Sequence, residues 1–185
     1  MKRSGVSVAL VTLGLTLLGT TGVAHALETI SFRLVPASVA VANCLPDATG
    51  KVTVFHKEDT LGVDTLHLDV QGLSTNTDFA VFLTSADAFA MPPFGAVEYI
   101  ADFTTNAAGR GSLKVDGIIA EAFVSTLVSG TRVRANVDHL VFWFADPAQA
   151  QAACNLTAVT PFDGDGNAGP AAMSSQGATG LELFP

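Results

Sequence analysis

The residues whose spacing comes nearest to a chemical motif lie late in the chain, in Asp163-Gly164-Asp165-Gly166-Asn167-Ala168-Gly169. Oxygen-bearing side chains at alternate positions of a glycine-rich loop suit a hard cation such as Ca2+, because the backbone must curl around the ion. The EF-hand pattern is not met. Counted from Asp163, the sixth residue is Ala168 where glycine belongs, and the twelfth is Ser174 where glutamate belongs. What remains is a cradle of Asp163, Asp165 and Asn167 that could hold calcium with help from elsewhere. The plainer reading is a turn whose Asp and Asn side chains bond their own backbone.

Beyond residue 26 the histidines are His56, His67 and His139. Strand alternation sets His56 on the face of Val52 and Val54 and turns His67 away from Leu66 and Leu68, so the two rings diverge. Asp138 and His139, as neighbours in a strand, diverge too. A histidine metal site is therefore not expected; polar side chains at the surface and a hydrogen-bonded pair at a strand end are. Nucleophilic hydrolysis needs a serine on a strained turn, and neither a Gly-x-Ser-x-Gly run nor Arg110-Gly111-Ser112-Leu113 supplies one. Seventeen carboxylates always permit an acid/base pair, but no spacing selects two of them. No catalytic residues are assigned. The run Phe142-Trp143-Phe144 offers large contact area for a sugar or a protein, yet alternation opposes Trp143 to its two neighbours, and core packing of one side or the other is expected. Met91-Pro92-Pro93-Phe94 reads as an exposed apolar loop.

The compartment is set by the first residues. Lys2 and Arg3, an apolar run from Val6 to Leu18, and the small residues of Ala24-His25-Ala26 form a secretory signal, with cleavage expected after Ala26. The apolar run is shorter than the roughly 20 residues a spanning helix needs. Residues 1–26 are read as a signal peptide and 27–185 as one domain, with no stable membrane insertion after cleavage. Seven basic residues against seventeen acidic ones leave Leu27 to Pro185 at −10. That balance argues against nucleic acid and against anionic lipid, and suits solubility. In an oxidising compartment Cys44 and Cys154 most simply form one disulfide, and no histidine stands at zinc-site spacing from either.

Short β-like runs separated by turn residues fill the rest of the chain. Ile30 to Val35, Val39 to Ala42, Lys51 to His56, Asp64 to Val70, Phe79 to Leu83, Val97 to Phe103, Ser112 to Val115 and Val133 to Phe144 are expected strands, with Lys57 to Gly62 a turn. Ile118 to Val128 has a helix-like apolar spacing and is expected as a short helix ending at Gly130; Ala148 to Ala153 is expected as one helical turn. Gly180 to Phe184 is a candidate closing segment.

Val70-Gln-Gly72-Leu73-Ser-Thr75-Asn-Thr77-Asp-Phe79 resembles the strand–corner–strand of fibronectin type III and related immunoglobulin-like domains, in which a Gly-Leu pair, a proline, a threonine and a tyrosine recur at these offsets. Gly72, Leu73 and Thr77 match, whereas Thr75 replaces the proline and Phe79 the tyrosine. The resemblance implies that Leu73 plugs one end of the core while Phe79, lacking a hydroxyl, cannot pin the corner as a tyrosine does. The corner is also similar to a stretch of the Cu/Zn superoxide dismutase sandwich, but the strand that follows has none of that family's metal-binding histidines. Runs such as Ala101 to Arg110, Asp138 to Pro147 and Pro161 to Asn167 resemble uncharacterised secreted β-proteins of bacteria, which implies a compartment and a fold. The expected architecture is an all-β, immunoglobulin-like or fibronectin-like sandwich with one or two short helices. The expected role is a secreted, non-catalytic module that binds an extracellular protein or glycan or has a structural part at the cell surface. Two alternatives stand beside it: a calcium-stabilised version of that module, and a secreted hydrolase whose site assembles from scattered residues.

Overall fold

The computed structural model describes residues 28–56, 63–90, 93–119, 122–162 and 166–175. The expected signal peptide, the 57–62 turn and the 180–184 segment lie outside those residues, as do Asp163 and Asp165. The chain is all-β with two short helices, and its main body is one antiparallel sheet of eight strands.

In chain order the strands of that sheet are β1 (Glu28–Pro36), β2 (Thr49–His56), β3 (Asp64–Gln71), β4 (Asp78–Thr84), β5 (Val97–Thr104), β6 (Gly111–Gly117), β9 (His139–Phe144) and β12 (Ala171–Ser175). Their spatial order is β5-β4-β9-β12-β1-β2-β3-β6. Its two outermost strands, β5 and β6, follow each other in sequence, and the sheet curls until the turn between them meets the corner between β3 and β4. There Leu73 N–H donates to Gly109 O (3.1 Å), Asn76 N–H to Asn106 O (3.3 Å) and Thr105 N–H to Thr77 O (2.9 Å). The result is close to a barrel: strands of a single sheet rather than two facing sheets enclose the core.

Alternation fills that interior. Phe32 and Leu34, Val52 and Val54, Leu66 and Leu68, Phe79 and Val81, Phe103, Leu140 and Phe142 all join one buried cluster. β4 and β9 are apolar on both faces because both faces are covered. Phe142 and Phe144 point inward, while Trp143 and Val141 pack outside the sheet with Phe82, Ala168 and Phe94. The aromatic run is thus core on both sides, and Phe94, expected in an exposed loop, lies with its ring centre 4.8 Å from that of Trp143.

Several local expectations are corrected. Val39 to Ala42 is not a strand but part of helix α1 (Val39–Cys44), started by the Ser38 hydroxyl accepting from Val41 N–H. Strand pairing would need Val39 and Val41 both inward, and Val39 is instead exposed. The helix expected over Ile118 to Val128 is not found among the described residues. Ile118 and Leu127, which made the helical spacing, both face solvent, and Phe123–Val128 forms β7. Ser129 and Gly130 follow with positive φ (50° and 83°), the backbone of a tight hairpin turn, into β8 (Thr131–Asn136). The long strand expected from Val133 to Phe144 is consequently two, broken where Val137 turns inward and its N–H donates to Ala122 O. The late helical turn is α2 (Pro147–Cys154), capped by Asp146 and ended by Asn155 in the left-handed region. β10 (Thr160–Phe162) and β11 (Gly166–Ala168) pair as a small hairpin.

Cys44 and Cys154 form the expected disulfide, with Cα atoms 5.5 Å apart, joining the last turns of α1 and α2. The register makes β1 and β9 run in the same direction, since Pro36 and Phe142 both lie against Met173. Both helices therefore leave the barrel at the end where the β3–β4 corner closes it. Among the described residues no helix is long and apolar enough to cross a membrane.

Candidate functional site

Half of the barrel's outer wall, β1-β2-β3-β6, is polar because its inward positions take the apolar residues of each alternation. Pairing registers order the outward ones into rows. Arg33, Lys51, Asp69 and Ser112 make one row across the four strands, and Ser31, Thr53, His67 and Lys114 make the next. Thr49 lies beside Gln71 at the margin towards the closed end. Arg110 is added from the turn between β5 and β6, a turn fixed by the Asn106 side chain accepting from Ala108 and Arg110 N–H.

Arg33, Thr49, Lys51, Asp69, Gln71 and Arg110 line a groove of about 260 Å³. A second hollow of about 450 Å³ shares Asp69 and Arg110 and extends to Thr104, Asn106 and Ser112. Arg33, Lys51 and Arg110 make no ion pair within 4.0 Å among the described residues. With Lys114, four of the seven basic residues beyond Leu27 lie on this wall of a chain with seventeen acidic ones. Three cations, one carboxylate and a set of neutral hydrogen-bonding groups can grip an anion and its hydroxyls together. Farther along the same outward file of β2, Phe55 packs edge-on to His67, ring centres 5.2 Å apart. Lys51 and Phe55 are four residues apart on one strand, about 13 Å.

The residues singled out from sequence fall elsewhere. Asn167 is exposed on β11, opposite Pro161; Asp163 and Asp165, in the connection between β10 and β11, lie outside the described residues. His56 and His67 point to opposite faces of the wall, as their alternation implied. His56 Nδ1 donates to Asp64 Oδ1 (2.8 Å) at the end of β2, and the buried Asp64 also accepts Ile119 N–H (3.1 Å). His139 does not part from Asp138, because Asp138 precedes the strand: Asp138 Oδ1 lies 3.6 Å from His139 Nε2, and Ser175 Oγ 3.4 Å from Nδ1. This file of three has the residue types of a hydrolase triad. Its serine is buried, however, and Ser175 Oγ is occupied as the acceptor of Leu140 N–H (3.1 Å).

The groove was missed from sequence because its cations are distant in the chain and each, read singly, is an ordinary outward strand residue. Only the register β1-β2-β3 brings Arg33, Lys51 and Asp69 abreast. Comparison with protein-family models, with curated proteins and with solved structures finds no match to this chain.

Proposed function

We propose that this protein is an exported, non-catalytic binding module whose ligand is an acidic glycan, held in the Arg33–Lys51–Arg110 groove. The observation behind the reading is the concentration in one groove of a strongly acidic chain of cations that have no ion pair among the described residues. Arg33, Lys51 and Arg110 meet carboxylates of the sugar, Asp69 and Gln71 meet its hydroxyls, and Phe55 offers a ring along the same wall. Export is supported by the signal-like residues 1–26 and by the disulfide. Kinship with fibronectin type III and immunoglobulin-like domains belongs to the same proposal. It is supported by the Val70–Phe79 corner, where Leu73 is buried and Phe79 is the second residue of β4.

Calorimetric titration with a galacturonate oligosaccharide and with its methyl ester tests this. The acid form is expected to bind, the neutral ester not, and Arg110→Ala to weaken the acid form roughly tenfold or more. Equal heats from both sugars, or none from either, would refute the reading.

A further inference from the structure

At the end of the barrel remote from the groove, β7 and β8 form a two-stranded sheet of their own. Its base is held: Ala122, Val124 and Val137 pack on the main core, and Val137 N–H bonds Ala122 O. Its outer part is not. Leu127 is 69% exposed, Val128 54% and Phe123 49%. An isolated two-stranded ribbon is marginal in water and gains by adding strands. Among the described residues, β7 approaches β5 but pairs as a strand with β8 alone.

The two edges of this ribbon differ. β8 (Thr-Arg-Val-Arg-Ala-Asn) carries Arg132 and Arg134, and a symmetric pairing of β8 with itself would crowd like charges. β7 (Phe-Val-Ser-Thr-Leu-Val) has no charge, and every residue but Ser125 is β-branched, aromatic or apolar. It has none of the devices by which exposed edges are normally protected. The ribbon from Phe123 to Asn136 contains two arginines and no carboxylate, whereas the remainder of the chain beyond Leu27 holds five basic residues against seventeen acidic ones. A partner that brings the same neutral edge and an acidic body satisfies both features, and a second copy of this chain is such a partner.

We infer that two copies associate through β7, antiparallel about a two-fold axis at Ser125, into a four-stranded sheet β8-β7-β7-β8. In this register Phe123 lies across from Leu127 of the second copy, joining two exposed apolar side chains on one face. Arg134, whose guanidinium carbon stands 4.0 Å over the Phe123 ring, flanks that contact. The groove, at the opposite end of the barrel, stays open in the pair.

Sedimentation velocity of the full chain over a concentration series tests the pairing. The wild type is expected to dimerise reversibly, and Ser125→Lys, which sets two ammonium groups across the axis, to raise the dimer dissociation constant at least about tenfold. A thermal midpoint equal to that of the wild type at a dilution where both are monomeric shows that Ser125→Lys still folds; if it does not, Ser125→Cys serves, with an interchain disulfide at residue 125 expected under oxidation. A wild type that is monomeric throughout, a Ser125→Lys dimer of undiminished strength, or a monomer that instead binds anionic vesicles through this hairpin would overturn the inference. None of these results bears on glycan binding, which the sugar titration reads separately.

Discussion

At the scale of single residues, two aspartates tie distant segments together. Asp64 fastens His56 and the Ile119 amide. Asp78 joins β5 and α2 to β4: its carboxylate accepts from Thr104 Oγ1 (2.6 Å) and Gln149 Nε2 (3.0 Å), while Gln149 Oε1 accepts Asp78 N–H (2.8 Å). The Thr104 bond, then the Gln149 bond, favour the ionised form and hold the Asp78 carboxyl below its usual range, with burial opposing them weakly. A group whose acidity is raised by folding gives stability that is complete above its unfolded value, near 3.9, and is lost as pH falls through the folded one. Replacing Asp78 with Asn is therefore expected to flatten the acid limb of stability below about pH 4, as read by urea unfolding across pH. An acid limb identical to that of the wild type would show that these bonds do not favour the carboxylate.

At the scale of elements, alternation made most strands readable, since β2 and β3 are apolar on one face and polar on the other. It failed where side-chain pattern and backbone demand part company. The spacing of Ile118, Ala122 and Leu127 imitates a helix, but the local chain is committed by Asp64, which binds the Ile119 amide from 55 residues away. No local pattern contains that contact. The corner at Gly72-Leu73 was readable for a physical reason. Gly72 has φ +73°, and a Cβ there would collide with the Asp47 carbonyl oxygen; glycine alone fits. Gly72→Ala is expected to cost more than about 1 kcal/mol in urea unfolding and to weaken the seam that Leu73 and Gly109 share. Stability equal to the wild type would show that the corner yields without cost. The groove was the least legible element of all, because it exists only through pairing registers.

At the scale of the whole molecule, closure of the sheet and the disulfide act at the same end. The bond spans 110 residues of chain, and removing a constraint on so long a loop costs about 4–5 kcal/mol in the chain-entropy account. Cys44→Ser/Cys154→Ser is accordingly expected to lower the thermal midpoint by roughly 8–20 °C in calorimetry, and an unchanged midpoint would mean that closure by strand pairing suffices alone. The sequence made the two cysteines and the all-β class plain, whereas the curling of eight strands into one nearly closed sheet follows from pairings between distant segments. The pairing of β6 with β3 sets the Arg110 turn beside Asp69 and Gln71, and so completes the wall on which the binding proposal stands. The most direct test is an amide chemical-shift map of the protein titrated with a galacturonate oligosaccharide. Saturable shifts are expected on Arg33, Thr49, Lys51, Asp69, Gln71 and Arg110, with the β7–β8 hairpin silent. Shifts centred anywhere else, or none at saturating sugar, would contradict the binding proposal.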